Sequence, residues 1–331
     1  MDDFLLEMPK AELHLHLEGS IEPETLHELD PSTSVEDFRA LYQYQDFDAF
    51  LRAFGAIGKR LRGPEDYALI TRRLLERLAA QNVRYAELTL TPWTSVQAGV
   101  PIQAYVEAVE DARVAAERDH GVRLRWIYDI PGESGLPSAE DTLGFALDHA
   151  PETLIGFGLG GPEVGVDRPQ FKDVFDQARA AGLRSVPHAG ETTGPQTVWD
   201  AIQVLGAERI GHGTSSARDP RLLAHLAEHG IALEVCPTSN IATRAVRTLD
   251  EHPVKEFVAA GVTVTVNSDD PPMFGTDLNT EYAVTASLLG LDEQGVAGLA
   301  KNAVNASFLG AAEKAELVAE IDTYAAAWLA L

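Results

Sequence analysis

The most regular segment of the chain is Glu12-Leu13-His14-Leu15-His16-Leu17-Glu18, where apolar and polar residues alternate without a break. A period of two is the signature of an extended strand. It puts Leu13, Leu15 and Leu17 on one face and His14 and His16 on the other. Counting this run as 11–17, eight short β-like runs recur along the chain, the others being 83–90, 124–130, 154–159, 183–188, 209–212, 231–236 and 262–267. Stretches with helical spacing lie between most of them, at 64–81, 101–120, 168–181, 195–205 and 220–229. Strands alternating with helices predict a parallel sheet, and eight such units predict closure into a (β/α)8 barrel of the TIM type. The chain, 1–331, reads as a single barrel domain. The span 19–82 is longer than one crossover needs, so extra helices are expected after the first strand, capping the barrel mouth.

Composition narrows the picture further. The chain has 331 residues, with 51 acidic against 26 basic side chains and a formal charge of −25. Such a surface has no use for nucleic acid, which needs clustered Lys and Arg. No apolar stretch approaches the roughly 20 residues needed to span a bilayer, so no membrane partner is expected. Cys236 is the only cysteine, which excludes an intramolecular disulfide and a Cys-built zinc site. The start, Met1-Asp2-Asp3-Phe4, lacks the basic and apolar regions of a signal peptide, and a cytoplasmic location is expected. Oligomeric state has no signature here.

Active sites of such barrels lie at the C-terminal ends of the strands. Here those ends carry His14 and His16, then Gly160 and Gly161, then His188, His212, and finally Asp269 and Asp270. Two histidines at i and i+2 on one strand face can share a metal ion; two buried, hydrogen-bonded histidines would give the same pattern. His188 is followed, past a glycine, by Glu191. Taken alone it reads equally as a core histidine. His212 stands between Gly211 and Gly213, which would let a neighbour approach closely. Asp269 and Asp270 end a buried β-branched run and need a metal, protons or donors; a helix N-cap accounts for one of them less awkwardly than for both. Four of the ten histidines fall on strand ends. Three His and one Asp form an N/O ligand set suited to Zn2+. With no lysine at the fourth strand end to bridge a second ion, one Zn2+ per chain is expected, serving to make hydroxide near neutral pH.

These pieces, in this order, resemble the adenosine deaminase family of metal-dependent hydrolases. The matching segments are His14-Leu-His16-Leu-Glu-Gly19, Gly158-Leu-Gly-Gly-Pro-Glu163, His188-Ala-Gly-Glu191, Gly211-His212-Gly213, Cys236-Pro-Thr-Ser-Asn240 and Asn267-Ser-Asp-Asp-Pro271. The resemblance implies that His14, His16, His188 and Asp269 hold zinc. It implies that Glu191 protonates purine N1 as hydroxide attacks C6, and that His212 orients the hydroxide and helps deprotonate the water. His16, Glu18, Gly161 and Asp270 would contact the substrate, with Gly161 at N3, Asp270 at N7 and Glu18 near the ribose. The implied partner is a small-molecule purine nucleoside.

The chain departs from the family at Glu18, where adenosine deaminases have Asp, and at Gly-Gly-Pro-Glu, where Ala-Gly-Asp-Glu is usual. It also lacks the Ser-Ser-Glu pattern of the related adenine deaminases. Both departures concern the sugar end, and they point to bacterial members acting on adenosine or on 5′-modified adenosines such as 6-amino-6-deoxyfutalosine, an intermediate of a menaquinone route. The alternatives are a free-adenine deaminase and another mononuclear amidohydrolase. The latter would not need an acid like Glu191, and an enzyme for AMP would need Arg or Lys at the barrel mouth.

Overall fold

Eight parallel strands are laid side by side in chain order: β1 (Lys10–His16), β2 (Val83–Leu90), β3 (Arg123–Pro131), β4 (Leu154–Gly160), β5 (Arg184–Ala189), β6 (Arg209–His212), β7 (Ala232–Val235) and β8 (Val264–Val266). The computed structural model describes residues 1–330, so the last residue of the expected 1–331 span lies outside the described residues. The sheet closes between β8 and β1. There the His16 N–H donates to the Asp269 carbonyl (3.0 Å) and the Asp269 N–H to the His14 carbonyl (3.1 Å). One step below, the seam is carried by a side chain: Asn267 Oδ1 accepts from the N–H groups of Leu13 (2.9 Å) and His14 (3.1 Å). This is why the expected 262–267 strand is regular only over Val264–Val266. Asn267 serves β7 with its backbone N–H and β1 with its amide oxygen.

The alternation of the first run is realised as expected. Leu13, Leu15 and Leu17 are buried, and the helix Glu293–Ala306 packs on β1 and β8. The barrel interior, by contrast, is strongly polar. Arg209 is buried between two carboxylates, with Nε 2.6 Å from Glu234 Oε1 and its other arm on Glu87. Charges this deep persist only when paired, and here each one is.

The excursion after β1 holds the helices Pro23–Leu29, Val35–Leu41, Phe47–Gly58 and Pro64–Ala80. Local capping explains the starts of the second and third: Ser34 Oγ accepts from the Asp37 N–H (3.1 Å) and Asp46 Oδ1 from the Ala49 N–H (2.8 Å). Phe47, Phe50, Leu51 and Phe54, spaced i, i+3, i+4 and i+7, lie on one helix face, and all four line the cavity at the barrel mouth. The stretch 168–181 is not one helix. A 3-10 turn, Arg168–Phe171, precedes the helix Lys172–Ala180, and Arg168 turns inward to donate to the His188 carbonyl (3.1 Å). No helix among the described residues is long and apolar enough to cross a membrane.

Candidate active site

The ends of β1, β5 and β8 bring four donors to one point. His16 Nε2 and His188 Nε2 are 3.2 Å apart, and Asp269 Oδ1 lies 3.4 Å from His16 Nε2 and 3.5 Å from His14 Nε2. These spacings fit the edge, about 3.3 Å, of a tetrahedron whose corners are about 2.0 Å from a central ion. His14 Nε2 is buried with no hydrogen-bond partner among the described residues, as a ligand nitrogen facing an ion would be. The far ring nitrogens are fixed. His14 Nδ1 meets Glu234 Oε2 at 2.7 Å, and His188 Nδ1 meets the Leu159 carbonyl at 3.1 Å. Such outer contacts set the ring orientation that ligation needs. Cys236 Sγ also lies within reach of the cluster. Burial pushes its thiol well above the usual range.

Protonation follows from burial and from the crowding of charges. Burial lowers His16 to about 4 and His212 to about 3, and both burial and the neighbouring imidazoles lower His188. Neutral imidazoles keep the lone pairs that a cation requires. On His14 burial also acts to lower the pKa, but Asp269 and Glu234 outweigh it and hold its proton up to about 10. A divalent cation would compete for the same place between carboxylates. Burial raises Asp269 too, yet the nearby His14 and the surrounding imidazoles prevail and hold it ionised. Asp270 next to it goes the other way. Burial first, and then the charge of Asp269, push it well above the carboxylate range. His212 and Asp269 both have left-handed backbone, with φ of 60° and 64°. Strain in non-glycine residues of this kind is commonly held at functional sites.

Glu191 stands at the cavity edge, 3.8 Å from His212 Nε2. Burial, followed by the charges of Asp269 and Glu163, raises it to about 8. Its loop is clamped from β4: Glu163 accepts from the N–H groups of Gly190 (2.9 Å) and Glu191 (2.7 Å) and from the Thr193 hydroxyl. Asn240 bridges the carboxylate to His212, its amide nitrogen 3.4 Å from Glu191 Oε1 and 3.1 Å from His212 Nδ1.

A cavity of about 210 Å3 opens onto this cluster. His16, Gly161, His188, Glu191, His212, Asp269 and Asp270 all line it, and His14 lies just beneath. A wider, shallower cleft of about 620 Å3 adjoins it and shares Glu191 and Thr243. Glu18 is the exception among the expected residues. The chain turns into a 3-10 helix (Glu18–Ser20) directly after β1, which buries the Glu18 side chain outside the cavity lining with neither oxygen hydrogen-bonded among the described residues. Gly19 follows because a Cβ there would lie 1.5 Å from Asp270 Oδ1.

Sequence reasoning had no role for Glu163, Glu234 or Asp129. Glu234 left one visible signal, a charge inside the apolar run Ile-Ala-Leu-Glu-Val-Cys.

The adenosine deaminase family profile matches residues 9–324. The chain is 62% identical to the aminodeoxyfutalosine deaminase of Streptomyces avermitilis, over 100% of this chain and 95% of that protein. It superposes on the adenine deaminase of Arthrobacter aurescens with a TM-score of 0.91 at 34% identity, covering 96% of this chain and 99% of that one. An amidohydrolase of Burkholderia ambifaria, solved with bound Zn, gives a TM-score of 0.91 at 25% identity over 100% and 95% of the two chains. The chain belongs to the adenosine deaminase family, a group of metal-dependent hydrolases on TIM-type barrels.

Proposed function

We propose that the chain removes the 6-amino group of a 5′-extended adenine nucleoside of the 6-amino-6-deoxyfutalosine type, giving the 6-oxo purine nucleoside and ammonia. One zinc ion would be held by His14, His16, His188 and Asp269. The observation that carries this reading is a protonatable acid, Glu191, standing at the edge of a buried His/Asp cluster inside one small cavity. The relative in Streptomyces avermitilis supports the substrate class. The acidic composition and the single buried cysteine support a cytoplasmic setting.

When bound, the ion supplies Lewis-acid activation of a water near neutral pH. The remaining steps belong to side chains. Attack at C6 breaks ring aromaticity and drives electrons onto N1, where Glu191 delivers its proton. His212 orients the attacking water, takes up a proton from it and returns that proton to the 6-amino group as the C6–N6 bond breaks and ammonia leaves. Asp270, kept in its acid form by burial and by Asp269, donates to N7, while the Gly161 N–H serves N3. His16 borders the substrate as well as the ion. The aromatic face of Phe47, Phe50 and Phe54 offers an apolar wall to a 5′ extension.

Free adenine is the second reading, favoured by the 34% identity to an adenine deaminase. Ammonia release across adenine, adenosine, AMP and 6-amino-6-deoxyfutalosine separates the two. The 5′-extended nucleoside should give the highest kcat/KM, and AMP and adenine the lowest. Adenine as the best substrate would overturn the nucleoside reading.

A further inference from the structure

Asp129, near the end of β3, has no part in the deamination chemistry. It is 4% exposed and lines the cavity, and its Oδ1 is enclosed with no partner among the described residues. The neighbouring strand is cut away to admit it. A Cβ at Gly158 would lie 2.5 Å from Asp129 Oδ1, and one at Gly160 would lie 2.2 Å from Oδ2. Burial pushes this carboxyl well above its usual range. A buried, unpartnered carboxyl is a cost to the fold, and side chains of this kind are retained where function needs them.

The proposed placement of the purine gives the cavity a direction, and a role for Asp129 rests on that placement. C6 faces the His/Asp cluster, N1 meets Glu191 after β5, N3 meets Gly161 at the end of β4, and N7 meets Asp270 after β8. Around the purine the atoms run N1, N3, N9, N7. Around the barrel the strands run β5, β4, β3, β2, β1, β8. N9, which carries the sugar, therefore falls over the ends of β3, β2 and β1. Those ends supply Asp129, Pro131, Glu133, Thr91 and Thr94 to the wall. Of these, Asp129 is the buried acid. Glu18 is absent from that wall.

We propose that Asp129 receives the sugar's 2′ and 3′ hydroxyls and is the residue that favours a nucleoside over the free base. Hydroxyls donate and carboxylate oxygens accept, and Oδ2, the oxygen not enclosed against Gly158, has two lone pairs to accept from two vicinal hydroxyls. Two donors arriving together also favour its ionised form. Free adenine would leave the same carboxyl unpartnered.

The test compares kcat/KM for adenosine, 2′,3′-dideoxyadenosine and adenine in the wild type and in Asp129→Ala, with thermal melting alongside. The wild type should prefer adenosine to the dideoxy analogue by about 10- to 100-fold. In Asp129→Ala that ratio should collapse toward one, through loss on adenosine alone. The variant's melting temperature should equal or exceed that of the wild type, because a buried unpartnered carboxyl has been removed; a purely structural role predicts the opposite sign. Asp129→Asn keeps the shape and gives up one acceptor, and should fall between the two. Equal wild-type activity on both nucleosides would overturn the assignment, as would an equal loss on both in the variant. Ammonia from none of the three compounds would instead bring down the purine placement itself, and Asp129's role with it.

Discussion

Glu191 is an acid because of where it is buried. Its pKa of about 8 comes from desolvation and from the charges of Asp269 and Glu163, so at neutral pH it carries the proton that the proposed reaction needs at N1. The acid form is lost as pH rises through that value, and kcat/KM should then fall by about tenfold per unit. Glu191→Gln keeps the shape without the proton. It should lower kcat by about a hundredfold or more, abolish the alkaline limb of the residual activity and leave metal content unchanged. Stability has a definite sign too. A carboxyl whose folded pKa lies above its unfolded value stabilises fully only below the unfolded value, and that contribution is lost as pH climbs through about 8. The Gln variant should therefore melt no lower than the wild type at pH 8. Unchanged kcat in a correctly folded variant would remove Glu191 from the reaction.

At this scale the donors His14, His16, His188, His212 and Asp269 were legible because each ends a strand whose pattern can be read. Glu163 and Glu234 were not, since each acts on a residue from another strand, and Asp129 was not, since only its burial against Gly158 and Gly160 singles it out. Glu18 is expected near the ribose only from the family resemblance, where adenosine deaminases have Asp. The 3-10 turn that removes it from the cavity depends on packing, which no local pattern encodes.

Among the elements, the loop after β5 and the helix Phe47–Gly58 decide how the site is shaped. The loop holds Glu191 in place through two backbone N–H groups on one carboxylate, Glu163. Glu163→Gln turns one acceptor into a donor that faces an N–H. The loop then loses a charge-assisted bond, and kcat/KM should fall by about tenfold through misplacement of the acid. Metal content and the overall fold should persist. A change in metal content instead would mean that Glu163 supports β5 and its His188 rather than the loop. The expectation of extra helices after the first strand came from length alone, and four helices fill that span. The aromatic spacing of Phe47, Phe50 and Phe54 was present in the sequence. That this face turns toward the cavity depends on the barrel being closed beneath it.

For the molecule as a whole, the repeating strand-and-helix rhythm was enough to read a (β/α)8 barrel, because each strand carried its own apolar pattern and each crossover its own helical spacing. The rhythm did not reveal how the barrel interior is filled. The chain His14–Glu234–Arg209–Glu87 runs from the cluster down through the barrel as paired charges, and such pairing between β1, β7, β6 and β2 becomes visible only when the strands stand side by side. This arrangement ties the orientation of the His14 ring to the charged core below it. The central claim is that the strand ends form one mononuclear metal centre. Elemental analysis of the purified protein, in the wild type and in His188→Ala and Glu191→Gln, tests it most directly. One zinc per chain is expected in the wild type and in Glu191→Gln, and far less than one in His188→Ala. Two metals per chain, or full activity after exhaustive chelation, would contradict it.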